Sequence, residues 1–406
     1  MLSGLGHILL YVVPSFLVVL TFIVTIHELG HFLAARAFGV KIDTFSIGFG
    51  KTLLSRRDRR GVEWRVAALP LGGYVKFAGD LDASSVPDEA GLAELRQRVI
   101  AEHGPGAERD YFHFKPVWQR AVITAAGPVA NFLLAIVLFT ILFSFVGSQV
   151  YPPRVGMVEA GGPAAEAGFQ PRDLITEING RPVFDSEEVI RAVGLSGDTP
   201  MTFTVDRAGT ILTLTATPER RMEDTELAGR VRTARIGLGL APLRSEVQFR
   251  RVSPLEAAGM GVERTGDVLS TTLTYLGRIF VGKESGDQLS GPLGIAKAAG
   301  GVTKQAVSVS PDPGLQAATL ALSLVQLAAI LSIGIGFLNL LPIPILDGGH
   351  LVFYAYEAVA RRPVAAKVQE AGYRVGLALL ACFMLFATWN DIQKLNLFKF
   401  LGGLAS

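Results

Sequence analysis

Four stretches of the chain are long, apolar and almost free of charge: about Ile8–Phe38, Ala121–Val146, Leu315–Leu346 and Val375–Trp389. A helix needs about 20 such residues to cross roughly 30 Å of hydrocarbon. The first three predict full spans, and the fourth is the shortest. Between them the pattern changes. Residues 40–77 flank a polar "RRDRRG" with aromatic and β-branched residues, which predicts a β-hairpin. Residues 78–112 are polar with mixed charge and predict a loop with a short helix around Glu89–Glu102. Residues 150–243 read as a small soluble domain, in which strand-like "MTFTVDR" and "TILTLTATP" flank the turn signal Ala208-Gly209. Residues 244–300 form an amphipathic connector.

Composition agrees with this outline. Half of the 406 residues are hydrophobic and 18% are charged, which is too apolar for an ordinary soluble chain. The expected fold is an α-helical polytopic membrane protein of about four spans with a membrane-associated β-hairpin. A net charge of +2 gives no hint of nucleic acid. The single cysteine, Cys382, lies in an apolar run and reads as a small packed side chain. The N-terminal run has no preceding Lys or Arg and no small-x-small site, so it does not read as a signal peptide.

Short-loop charge sets the expected orientation. Arg36, Lys41, Lys51, Arg56, Arg57, Arg59 and Arg60 follow the first span, Lys115 and Arg120 precede the second, and Arg361, Arg362, Lys367 and Arg374 separate the third from the fourth. These loops are expected in the cytoplasm and both termini outside. The domain boundaries expected are 1–147 for a first membrane half, with the hairpin at 40–77 and a cytoplasmic loop at 78–120. An outer domain at 148–243, a connector at 244–314 and a second membrane half at 315–406 follow.

The candidate chemistry sits at the inner end of the first span, in "TIHELGHFLAA". On a helix, His27 and His31 are four apart, so both imidazoles leave one face and can share a metal ion. Glu28 stands beside them, able to take a proton from a water that zinc acidifies to a pKa of about 7. A catalytic zinc usually takes three protein ligands. The extended HExxHxxGxxH pattern is absent, since Ala34 and Ala37 hold the later positions. Asp58 and Glu63 follow, but in the basic hairpin.

The better third ligand is Asp347, in "GFLNLLPIPILDGGH", the only acidic residue of the third apolar segment. Spans one and three run in the same direction, so Asp347 matches the depth of the histidines. Pro342 and Pro344 break regular helix there, and Gly348 and Gly349 permit close approach. Broken backbone at membrane depth is tolerated where it lines a wet cavity. His350 reads as a supporting residue, because a catalytic metal keeps an open position.

Three blocks together resemble a known family: "HELGH" at 27–31, "AAGPVANF" at 125–132 and "LNLLPIPILDGGH" at 338–350. They are similar to the site-2 proteases, intramembrane zinc metalloproteases. "SIGFGK", "LPLGGYVKF" and "LSGPLGIA" narrow the likeness to the bacterial regulator-of-sigma-E protease type. The resemblance implies Zn2+ on His27, His31 and Asp347, with Glu28 as general base. It implies that Asn339, together with Pro342 and Pro344 of the same stretch, binds substrate. The implied substrates are single-pass membrane proteins already trimmed on the outer side, of the anti-sigma factor type, and remnant signal peptides. The implied location is the bacterial inner membrane. Residues 154–243 resemble a single α+β PDZ domain, through "VEAGGPAAEAGFQPRDLITEINGRPV", with Arg172 where Gly is usual. Such a domain binds peptide termini by strand addition.

Two other classes remain on the residues alone: an ion transporter using the His/Glu/Asp cluster, and an inactive scaffold binding partners through the PDZ-like domain. No internal repeat of the spans supports a transporter, and every proposed catalytic residue is present, which argues against the scaffold.

Overall fold

The apolar stretches are helices in the computed structural model, which describes residues 13–79, 89–225, 229–243, 246, 248–284, 286, 289–308 and 312–394. Ile8–Val12, the start of the first expected span, lie outside the described residues. Among the described residues four helices are long and apolar enough to cross a membrane. They are α1 (Val13–Ala37), α3 (Val117–Val146), α8 (Pro313–Asn339) and α10 (Ala366–Lys394).

Two boundaries differ from the hydropathy reading. The third apolar stretch continues to Leu346, but its helix stops at Asn339. Pro342 and Pro344 have no N–H to extend the ladder, and residues 340–346 form turns before α9 (Asp347–Ala360) begins. The fourth span is longer than its apolar run. Its polar ends also accept helix, and Arg374 pairs with Glu370 one turn away at 2.6 Å. Hydropathy sees only the apolar middle of that element.

The chain forms two compact units. The first comprises residues 1–139, 261–269 and 299–386. It holds α1, α8, α9, most of α3 and α10, and the hairpin of β1 (Ile42–Arg57) and β2 (Glu63–Phe77). The turn is built by Asp58, whose Oδ1 accepts the N–H groups of Arg60 and Val62 at 2.8 and 3.0 Å. Residues 42–47 of β1 pair with 73–77 of β2 on one side, and residues 44–47 pair with 63–66 on the other. The 42–47 stretch is therefore inner and 73–77 is an outer edge. One face of this sheet is apolar: Phe45 and Trp64 pack on Phe32 of α1, with Ile42, Val62, Phe112 and Ile123 in the same core. A short α2 (Glu89–His103) closes a second small core of Leu95, Val99, Ala78 and Tyr111.

Close helix packing in this unit depends on small residues. A side chain at Gly30 would meet the Ala126 carbonyl at 2.3 Å and Ala130 at 2.8 Å, so α1 and α3 touch there backbone to backbone.

The second unit comprises residues 140–260, 270–298 and 387–406. Its centre is a four-stranded sheet in the order β6 (Arg181–Pro182), β5 (Leu174–Ile178), β7 (Met201–Arg207), β8 (Thr210–Ala216). The expected hairpin is β7–β8, turning through Ala208 and Gly209 at φ 51° and 89°. Val189 and Val193 of α5 (Ser186–Leu195) join Phe203, Val205, Ile175 and Phe169 in its core. Strand β4 (Val155–Val158) pairs with β11 (Leu238–Leu240). Arg172 stands at φ 78°, a left-handed position where glycine costs nothing. Its neighbour Asp173 is fully buried and bonded by Arg207 at 2.7 Å.

Candidate metal centre

Residues His27 and His31 leave the same face of α1, as their spacing requires. Their Nε2 atoms are 3.2 Å apart. Asp347 is the first residue of α9, where the helix N-terminus favours a carboxylate. Its Oδ2 lies 3.1 Å from His27 Nε2 and 3.5 Å from His31 Nε2. Among the described residues these are the His, Cys, Asp and Glu side chains that converge in a way fit for an ion.

The triangle can be tested against zinc. Ligands about 2.0–2.1 Å from a tetrahedral ion stand about 3.3–3.4 Å from one another. The three observed separations bracket that value. Asp347 Oδ2 is buried and meets no donor in hydrogen-bond geometry. Such an orphan is costly in protein, and a cation bound between the three atoms would satisfy it. The donor set of two imidazoles and a carboxylate, with a fourth side left to the cavity, suits a catalytic zinc site.

The neighbourhood explains why the chain can assemble this group. His31 Nδ1 donates to the Ile123 carbonyl at 2.9 Å, which turns its Nε2 inward. Gly127 of α3 lies against both rings, and a Cβ there would stand 2.3 Å from His31 Nε2. On the other side, the turns at 340–346 fold tightly onto the start of α9. A Cβ at Gly348 would be 2.3 Å from the Leu340 and Leu341 carbonyls, and one at Gly349 2.3 Å from the Ile343 carbonyl. Only glycine fits at either position, and this contact holds Asp347 in place.

A cavity of about 690 Å³ adjoins the cluster. Glu28, Asn339, Asp347 and His350 line it, together with Gly73, Tyr74 and Val75 from the outer edge of β2. Glu28 Oε2 accepts the Val75 N–H at 3.1 Å. His350 stands among Tyr354 and Tyr373, with its Nδ1 3.4 Å from the Tyr373 hydroxyl. Pro342 and Pro344 are not in the cavity wall as Asn339 is; Pro344 rests against Gly372 and Gly376 of α10. Asp58 and Glu63 are occupied elsewhere, by the hairpin turn and by Arg65 at 2.7 Å.

Sequence reading brought out the three converging side chains and Glu28. It did not single out Gly127, Ile123 or Val75. The small residues of "AAGPVANF" were a signal for close helix contact, but nothing in the linear order says which helix they face.

Zinc chemistry on a scaffold of apolar helices is that of the site-2 type of membrane metalloprotease. The chain belongs to peptidase family M50, whose profile matches residues 15–383. It is 49% identical over 395 residues to metalloprotease MmpA of Caulobacter vibrioides, covering 97% of this chain and 98% of that protein. It is 41% identical over 395 residues to a protein of Agrobacterium fabrum designated a zinc metalloprotease, covering 97% and 98%. A protein of Mesorhizobium japonicum with the same designation is 44% identical over 381 residues, covering 93% and 97%. The chain is a membrane zinc metalloprotease.

Proposed function

We propose that His27, His31 and Asp347 hold the zinc and that Glu28 is the general base for peptide hydrolysis within or beside the transmembrane segments of single-pass proteins. The observation that carries this reading is the triangle of ligand atoms at 3.1, 3.2 and 3.5 Å, opening on the cavity that Glu28 lines. When bound, zinc supplies a Lewis acid that polarises the scissile carbonyl and acidifies a water molecule. Glu28 would take a proton from the attacking water and pass it to the amine nitrogen as the peptide C–N bond breaks. The Val75 N–H holds the carboxylate towards the cavity.

A helical substrate shields its peptide bonds, so it must be extended before it is cut. In hydrocarbon, each freed backbone group costs several kcal/mol if left unpaired. The outer edge of β2 at Gly73–Val75 lies on the cavity wall and, apart from the Val75 N–H that Glu28 takes, offers backbone partners there. Asn339, at the end of α8 on the same wall, offers an amide with two donors and an acceptor. Pro342 and Pro344 contribute by ending α8 at that point and leaving the wall irregular.

We read residues 148–243 as a single PDZ domain that controls access, and the chain as a member of the regulator-of-sigma-E protease type. The β4–β11 pair, helix α5 and the left-handed Arg172 in the glycine position of the motif support this. Loop charge puts that domain outside the bacterial inner membrane and the zinc site towards the cytoplasm. Suitable substrates are then anti-sigma factor-type proteins already shortened outside, and remnant signal peptides.

Product mass spectrometry tests the reading. Membranes carrying the wild type should release fragments cut within or next to an apolar segment of a model single-pass substrate, and membranes carrying Glu28→Gln should not. Equal fragments from both would refute the assignment.

A further inference from the structure

Helix α3 buries an amide side chain beside the metal cluster. Asn131 is fully buried. Its side-chain amide lies 3.2 Å from His27 Nδ1. Its backbone carbonyl accepts the Ser332 hydroxyl of α8 at 2.8 Å, which fixes the height of the residue between two helices. A side chain at Gly336 would meet the Asn131 Cβ at 3.1 Å, so α8 closes over it tightly. Burying an amide among apolar helices is costly unless it is paired.

We propose that Asn131 positions His27 for zinc by accepting the Nδ1–H through its side-chain oxygen. This rests on the assignment of His27, His31 and Asp347 as ligands. The argument is one of proton placement. The Nε2 atoms of both histidines face Asp347 Oδ2. A neutral imidazole that gives its Nε2 lone pair to a metal carries its proton on Nδ1. His31 meets this requirement with the Ile123 carbonyl. His27 has the Asn131 amide in the equivalent place.

The amide turns its nitrogen to His27, while its oxygen is buried and meets no partner. Two donors facing each other would repel once Nδ1 is protonated. Half a turn of the amide leaves its outline unchanged and brings the oxygen to Nδ1–H, and such ends are assigned from their partners. The two histidines are then oriented by unlike acceptors on one helix, a backbone carbonyl at 123 and a side-chain carbonyl at 131.

The test uses full-length protein in detergent, with zinc affinity read by chelator competition and melting measured without metal. Asn131→Leu, similar in volume and unable to accept, should weaken zinc roughly 10–100-fold and leave the melting point of the metal-free protein within a few degrees. Asn131→Asp, which can only accept when ionised, should keep zinc within about threefold or tighten it. Unchanged affinity in Asn131→Leu, or a loss in Asn131→Asp equal to that in Asn131→Leu, would overturn the proposal. A lowered metal-free melting point with unchanged zinc affinity would make Asn131 a packing residue only. A measurement on the wild type covers failure of the variants to fold. Nitrogen-15 NMR of the zinc-loaded protein should show His27 protonated at Nδ1, and a bare Nδ1 would refute the role. His27→Ala separates this from the ligand assignment: if it keeps full zinc, the site reading itself fails, whereas loss of zinc there with none in Asn131→Leu removes only Asn131.

Discussion

The Val75 N–H donates to Glu28 Oε2 across 3.1 Å, joining the outer edge of the hairpin to the proposed base on α1. This single bond makes the hairpin part of the chemical site. Glu28→Gln should retain zinc and lose roughly 10²–10⁴-fold in cleavage. Val75→Pro removes the donor at an outer strand position, where proline is tolerated. It should keep zinc and lower turnover by roughly ten- to hundredfold, as expected for a misaimed base. Near-normal turnover in Glu28→Gln would sink the assignment, and near-normal turnover in Val75→Pro would sink the aiming role.

Asp347 is expected to complete the metal site. Asp347→Ala should lose most zinc, whereas Asp58→Ala and Glu63→Ala should keep it, because those carboxylates serve the hairpin turn and Arg65. Metal analysis of the purified variants decides the matter. Full stoichiometry in Asp347→Ala would place the third ligand elsewhere.

Gly127→Ala should damage the same site without touching a ligand. The added methyl would stand 2.3 Å from His31 Nε2 and 2.9 Å from His27 Cε1. Either the rings or α3 must shift. Overpacking of this sort costs about 1–3 kcal/mol, and zinc should weaken at least tenfold. Wild-type zinc affinity in Gly127→Ala would show that the helices part without disturbing the rings.

Asn339→Ala separates substrate binding from helix support. A substrate-binding role predicts normal zinc content and melting with weaker cleavage. In a Glu28→Gln background it should also reduce crosslinking to a bound single-pass substrate. Equal crosslinking with and without Asn339 would remove it from the binding site.

The second unit should show its own acid sensitivity. Burial pushes the Asp173 carboxyl up, but the Arg207 guanidinium and the Gln170 N–H outweigh it and hold the group below the usual carboxylate range. A folded value below the unfolded one, near 3.9, means the contribution is present above that pH and lost as pH falls through the folded value. Asp173→Ala should therefore destabilise this unit by about 2–4 kcal/mol near neutral pH, with a gap that narrows as pH falls below the ordinary carboxylate range. Hydrogen exchange of residues 170–207 measures it. A gap independent of pH would show that the carboxylate charge is not what stabilises the unit.

By itself the sequence determined the periodic and local features. Long apolar runs predict spans in a bilayer, histidines four apart must share a helix face, and Ala208-Gly209 turns the β7–β8 hairpin. The partnership of Asp347 with the histidines was legible too: a loop-charge reading that runs spans one and three alike expects it, and Asp347 Oδ2 stands 3.1 Å from His27 Nε2. Tertiary structure alone decided what these elements meet. The third span ends at Asn339 and not at Leu346, because hydropathy counts apolar residues while the helix ladder needs the N–H groups that Pro342 and Pro344 lack. The edge of β2 lies against Glu28, and Gly127 and Asn131 of α3 lie against the histidines. Those contacts join residues about 47 to 104 positions apart in the chain, where no periodicity of 2 or 3.6 reaches. Only the packing of the helices on one another, set by the small residues that allow it, and of the hairpin edge on α1 brings them together.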